Sequence, residues 1–346
     1  MAQVRQLMHT TVAGVVVFSF ATFFAGAAHA EAAQQPRRTS GTLPRRAPDK
    51  PTVPPALECG DYPGFQVLLD KQGFSVGQID GKPGANFSHA LAAFQSARNL
   101  AGSGQPDCAT WKSLGGDNAA AATVSYTITE SDVKGPFVKT IPKSLPEQAS
   151  LPALGYTSAA EKLAEKFHTS PAMLQQLNPG VSYAVNSAIK VPAVTPFDVD
   201  APKPAADPAA ADATLKVSRD ESAVRVTRAD GTLIFFAPVT TGSEHDPLPV
   251  GDWKVTGVNW HPAFHYNPDL FWDAKAGDAR ATLKPGPNNP VGIVWIDVNI
   301  EHYGIHGTPE PANVGHTESH GCVRLTNWDA ARLAALVKPG TPVQFR

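Results

Sequence analysis

The chain has 346 residues, 42% of them hydrophobic and 17% charged, with a formal charge of −2. That length predicts about two or three folded units with packed cores, and the near balance of charge offers no basic surface for a nucleic-acid partner. Thirty-two prolines and 28 glycines forecast many loops and linkers.

At the N-terminus, Arg5 precedes an apolar run from Thr11 to Ala27, which ends in Ala28-His29-Ala30. A positive start, an apolar middle and a small-residue end predict a secretory signal cleaved after Ala30. The alternative is an N-terminal membrane anchor, for which the run falls somewhat short of ~20 residues. Either reading places the remainder outside the cytoplasmic membrane, in the periplasm or cell envelope. Residues 31–57 are rich in Pro and Arg without apolar periodicity and read as a linker.

Export changes the meaning of the three cysteines, because disulfides persist outside the cytosol and an odd cysteine there is a candidate reactive thiol. Cys59 and Cys108 lie near the two ends of one short segment, whereas Cys322 is far away. Cys59 is therefore paired with Cys108, and Cys322 is left free.

Between residues 58 and 115 the spacing of Phe65, Leu68 and Leu69, and then of Leu91, Phe94 and Gln95, predicts two helices. A third, short one is expected from Thr110 to Leu114. The stretches LLDKQGFSVGQIDGKPG, ALAAFQSARNL and CATWKSL resemble the three-helix peptidoglycan-binding domain. Residues 123–194 begin with an alternating strand at Tyr126-Thr127-Ile128. Helices are expected from Ala159 to Phe167 and from Pro171 to Leu177, with a closing strand at Ile189-Lys190-Val191-Pro192. This order resembles the carbohydrate-binding LysM module, with an inserted segment from Ser131 to about Tyr156. Glycan binding and a spacer role both fit this α+β unit.

Residues 195–212 form a second, Pro/Ala-rich linker. Beyond it, Leu215–Ser218, Ala223–Thr227, Leu233–Phe236 and Trp253–Thr256 read as short strands between turns, and Val291–Val298 as a central strand. One helix follows Thr326, whose T-x-x-D pattern with Asp329 is a capping signal, and Pro339-Gly340 ends it.

Residues 213–346 carry the densest chemistry. Tyr303-Gly304-Ile305-His306-Gly307-Thr308 is followed by Glu318-Ser319-His320-Gly321-Cys322-Val323-Arg324-Leu325. A thiol is mostly protonated at neutral pH, since a free cysteine titrates near ~8.5, so a nucleophilic cysteine needs an imidazole to take its proton. His306 and His320 are the candidates. On a strand, residues two apart face the same side, which places His320 beside Cys322. Amides around Gly321 and Cys322 suit an oxyanion, and Arg324 suits a substrate carboxylate. Histidines 302, 306, 316 and 320 with Cys322 are also potential zinc ligands, but the intervening Gly and Pro oppose the helix that an i, i+4 pair needs; no metal and no cofactor is expected.

The pattern IHGT…ESHGCVRL resembles the L,D-transpeptidase catalytic domain family, of the ErfK/YbiS/YcfS/YnhG type. The resemblance implies a mostly β, β-sandwich-like domain with a helix after the nucleophile. It implies Cys322 as nucleophile, His306 as base and Gly307 as its orienting carbonyl. His320 and Ser319 would support the site, Gly321 and Cys322 contribute to the oxyanion hole, and Arg324 hold substrate. The implied reaction acts on peptidoglycan tetrapeptide stems: a Cys thioester forms with release of D-Ala, and a diamino-acid amine resolves it into a 3→3 crosslink. Resolution by water would make an L,D-carboxypeptidase, and attachment or detachment of an outer-membrane lipoprotein is a further use of the same site. Carbapenems are expected to acylate the thiol. Less favoured are a zinc hydrolase and a non-catalytic wall-binding protein.

Overall fold

The computed structural model describes residues 54–346; the signal or anchor expected before Ala30 and most of the first linker lie outside them. Three helices come first: α1 (Tyr62–Lys71), α2 (Ala85–Ala97) and α3 (Cys108–Ser113). The Asp61 carboxylate accepts the Gly64 amide at 2.7 Å, and Asp107 accepts that of Thr110 at 2.7 Å, each satisfying a donor that a helix start leaves unpaired. α3 starts at the cysteine itself, two residues earlier than its spacing predicts, because Asp107 provides the cap. A disulfide joins Cys59 to Cys108 with Cα atoms 5.2 Å apart.

The next segment contains β1 (Thr123–Thr127), the single turns α4 (Glu130–Val133) and α5 (Leu145–Gln148), then α6 (Ala159–Lys166), α7 (Pro171–Leu177) and β2 (Ala188–Pro192). β1 and β2 pair antiparallel, Tyr126 opposite Ile189. The insertion between β1 and α6 carries α5, and Leu145, Ala149, Leu151 and Leu154 from it pack with Tyr266 and Leu283 of the following domain.

The remaining strands are β3 (Thr214–Ser218), β4 (Ala223–Thr227), β5 (Leu233–Pro238), β6 (Gly251–Trp260), β7 (Phe264–Tyr266), β8 (Ala281–Leu283), β9 (Val294–Val298), β10 (Gly304–His306), β11 (Val323–Arg324) and β12 (Pro342–Phe345), with α8 (Asn327–Leu336) before the last. Eight of them form one sheet, in the order β11-β10-β9-β6-β12-β3-β4-β5, while β7 and β8 pair apart. The sandwich-like expectation becomes a single bent sheet for a visible reason. The first residues of the ten-residue β6 pair with β12, its later ones with β9, and the register shifts between Val255 and Gly257. A bulge of that kind bends a strand and lets one strand serve both halves. β9 lies inside the sheet, but begins at Val294 and not at Val291: Gly292 adopts φ +62°, which ends extended geometry there.

Residues 54–346 form one compact unit. One core fills the sheet under α8, with Leu215, Val226, Phe235, Ile296, Val323 and Leu333. A second joins Phe65, Leu69 and Phe94 from the first helices to Leu163 and Phe167 from the second segment and to Ala223 and Phe236 of the sheet. These apolar residues exclude water jointly, so the three segments stabilise one another rather than standing as independent beads.

At the junction lies a buried charge cluster. Asp70, fully buried, accepts both terminal nitrogens of Arg332 at 2.9 Å and approaches His168 Nδ1 at 3.1 Å. Burial alone would raise its carboxyl, but His168 and Arg332 outweigh it and hold the group well below the carboxylate range. Ser75 donates to Asp329 at 2.7 Å, and burial pushes the Asp329 carboxyl up to about 7.

Candidate active site

His306 ends β10, and Cys322 lies in the bend directly before the neighbouring β11. β10 and β11 run parallel, with Ile305 opposite Val323 and His306 opposite Arg324. Residues in register on paired strands face the same side of the sheet, so His306 and Arg324 share a face. The Cys322 thiol lies 3.7 Å from the His302 carbonyl oxygen. His302 adopts φ +67°, sparse for a residue with a side chain, two residues before β10.

His306 is almost completely buried. Its Nδ1 donates to the Gly307 carbonyl at 2.6 Å, and the Trp295 ring stacks on it at 5.2 Å from the neighbouring β9. Burial, reinforced by the Arg324 charge, pushes its pKa down to about 3. The imidazole is therefore neutral at pH 7, with Nδ1 protonated toward Gly307 and the Nε2 lone pair available as a base. Burial pushes the Cys322 thiol up, and Asp246 adds to this; the Gly304 amide and Arg324 act in the opposite direction. The resting pair is consequently thiol and imidazole, not thiolate and imidazolium.

Arg324 is anchored by its backbone, which exchanges hydrogen bonds with Thr240 at 2.8 and 3.0 Å. Its Nε is buried without a protein partner. Ser319 lies in the loop and donates its hydroxyl to the Cys322 carbonyl at 2.6 Å. Gly321 takes φ +93°, and a Cβ there would collide with the Tyr303 ring. That left-handed turn also corrects the reading of His320 as a same-face strand neighbour of Cys322. Residues 320–322 are a bend, and His320 instead places Nε2 2.8 Å from Asp273 while packing against Phe271 and Trp272.

His302 and His316 are exposed, the first beside Glu301 and the second near Asn86 of α2. Among the described residues, no group of three or more His, Cys, Asp or Glu is arranged to hold a metal ion. Sequence reasoning missed Trp295, Asp246 and Asn327. Trp295 meets His306 only through the β9–β10 register. Asp246 precedes a proline in a loop, and the Asn327 side chain lies against Gly307 from the start of α8. The one signal available was Asn327 directly after a recognisable cap.

A neutral imidazole oriented by a carbonyl, a thiol just before the adjoining strand and a cation beside both are the equipment of a cysteine-dependent acyltransferase. Residues 212–345 match the L,D-transpeptidase catalytic domain model named YkuD, and residues 65–114 the putative peptidoglycan-binding domain. The chain carries an L,D-transpeptidase catalytic domain, with a peptidoglycan-binding domain ahead of it.

The putative L,D-transpeptidase YkuD of Bacillus licheniformis is 26% identical over 188 residues, 54% of this chain and 92% of that one. The probable L,D-transpeptidase YbiS of Escherichia coli is 36% identical over 92 residues, 27% of this chain and 29% of that one, so the chain spans less than a third of it. An L,D-transpeptidase structure from Mycobacterium smegmatis aligns over 39% of this chain and 58% of its own, with 18% identity and a TM-score of 0.33.

Proposed function

We propose that the protein is exported and acts on peptidoglycan tetrapeptide stems through a Cys322 thioester, releasing D-Ala and forming 3→3 crosslinks. The observation that carries this reading is a neutral, Gly307-oriented His306 at the end of β10 and Cys322 in the bend that leads into the adjoining parallel strand β11. The family match supports the substrate class.

The steps follow from the protonation states. As sulfur attacks the carbonyl of the diamino acid at stem position three, His306 Nε2 takes the thiol proton, so no thiolate needs to exist in the resting site. The resulting oxyanion is met by amides around Gly321 and Cys322. Collapse breaks the C–N bond to D-Ala, whose amine receives the proton from His306. A diamino-acid amine from a second stem then attacks the thioester and gives up a proton to His306, which returns it to the departing sulfur. Arg324 supplies a charge for a substrate carboxylate. Ser319 holds the Cys322 carbonyl, and His320 with Phe271 and Trp272 forms one wall.

Water in place of the second amine yields a carboxypeptidase, and a lipoprotein amine yields lipoprotein linkage; carbapenems would acylate the same thiol. The test is incubation of the mature protein, beside Cys322→Ala, with disaccharide-tetrapeptide muropeptides and mass analysis. A dimer equal in mass to two tetrapeptides less one D-Ala, absent from the variant, is expected. Tripeptide alone would assign the carboxypeptidase reaction, and unchanged tetrapeptide would reject both.

A further inference from the structure

The segment from residue 123 to 194 does more than connect two domains. Its α6 directs two carboxyl groups, one helical turn apart, into the enzyme domain. The Glu161 carboxylate accepts the side-chain amide of Asn288 at 2.8 Å, and Glu165 accepts that of Asn327 at 2.9 Å. The strip before α6 is joined to the same region: the Leu154 carbonyl accepts the Asn288 amide at 2.9 Å, and the Gly155 carbonyl accepts its side chain at 2.9 Å. Glu165 is buried, a place where an acid without a purpose is costly.

Asn327 is where these contacts meet the catalytic base. It is 1% exposed. Its Nδ2 donates to Glu165 and, at 3.1 Å, to the Pro287 carbonyl, while its Oδ1 accepts the Ile293 amide at 3.2 Å. That oxygen is also wedged against the α-carbons of Gly292 and Gly307, where a Cβ on either glycine would strike it. Gly307 in turn offers its carbonyl to His306 Nδ1 at 2.6 Å. An asparagine amide can rotate by half a turn, exchanging oxygen for NH2. Rotation here would aim NH2 at the Ile293 N–H and press a wider group on Gly307. The Glu165 acceptor makes that rotation unfavourable.

We infer that Glu165 is a positioning residue for His306, acting through Asn327 and the Gly307 peptide, so that the 123–194 segment completes the catalytic site rather than only tethering it. This rests on the proposed function for its kinetic consequences, but not for its effect on the imidazole. Because Pro287 also accepts from Asn327, loss of Glu165 should loosen the Gly307 peptide without releasing it. Small misplacements of a reacting group cost up to ~100-fold in rate, and a roughly tenfold loss is expected for a site half held.

The experiment compares the full chain with Glu165→Gln and Glu165→Leu, far below their melting temperatures. Gln keeps an acceptor for Asn327, and Leu removes it at similar volume. D-Ala release from tetrapeptide muropeptides should show kcat about tenfold lower in Glu165→Leu with KM within about twofold, and a Gln variant near wild type. In parallel, 15N spectra of the His306 ring should show the Nδ1–H tautomer, neutral at pH 5, in wild type and Glu165→Gln. In Glu165→Leu they should show a mixture of tautomers or protonation at higher pH. Equal kcat and identical ring spectra in all three proteins would overturn the inference, as would a Gln variant as impaired as Leu. Wild type that releases no D-Ala would count against the proposed reaction alone, and the ring spectra would still decide the role of Glu165.

Discussion

Replacing Asp70 by Asn removes one charge from the junction of all three segments and leaves its shape. In the native protein this carboxylate receives two Arg332 hydrogen bonds at 2.9 Å and faces His168 at 3.1 Å. Removing one member of a buried pair costs about 3–5 kcal/mol, because the other charge is left without a partner. Two features favour the lower end: Arg332 is 26% exposed, and Asp329 lies 3.8 Å away as a substitute counter-ion. About 3 kcal/mol, at about 2 °C per kcal/mol for a unit of this size, corresponds to a fall of about 6 °C in Tm. Calorimetry at pH 7 should show that fall in one transition, since the junction belongs to a single folded unit. The double variant Asp70→Asn with Arg332→Gln should cost less than the sum of its parts, because the orphan charge is gone. A Tm within 1 °C of wild type, or early and separate melting of the N-terminal helices, would refute the reasoning.

Other expectations concern single groups. Burial pushes Glu165 up to about 8 from an ordinary 4.5, so its contribution to stability is fully present below pH 4.5 and lost as pH rises through 8. Glu165→Gln should therefore melt less steeply with pH, gaining up to ~5 kcal/mol over wild type by pH 9, as thermal scans at pH 5 and 9 would report. His306 runs the other way: buried neutral, it stabilises above pH 6.5 and that stability is lost as pH falls toward 3, which acid titration by circular dichroism should show as reduced in His306→Gln. Gly307→Ala should drive a methyl into Asn327 and lower crosslinking by about 100-fold. Reduction of Cys59–Cys108, which closes a separation of 49 residues, should cost about 4 kcal/mol and be visible as a lower Tm in reductant.

The candidate nucleophile and base were legible because IHGT and SHGCVR place them in short runs, at the end of one strand and at the entry to another, that the topology then sets side by side. The helix after Thr326 was legible for a similar reason: its cap is local, with Thr326 accepting the Asp329 amide. What escaped the sequence is long-range. Glu165 and Asn327 are 162 positions apart, and nothing in α6 announces a contact with the enzyme domain. The ten residues of β6 read as a strand, but not as one shared between two halves of a bent sheet. His320 was misplaced because period-two alternation assumes extended backbone, and Gly321 interrupts it. The shared core of Phe65, Leu163 and Phe236 was likewise invisible, since Pro-rich composition marks linkers but not whether the flanking segments pack together.

The most direct test of the account is intact-protein and peptide mass spectrometry after brief mixing with a tetrapeptide donor that lacks a free acceptor amine. An adduct equal to the donor less D-Ala, mapped to Cys322, reversed by hydroxylamine and absent from Cys322→Ala, is the predicted result. Release of D-Ala with no adduct on Cys322, or an adduct that persists in Cys322→Ala, would contradict it.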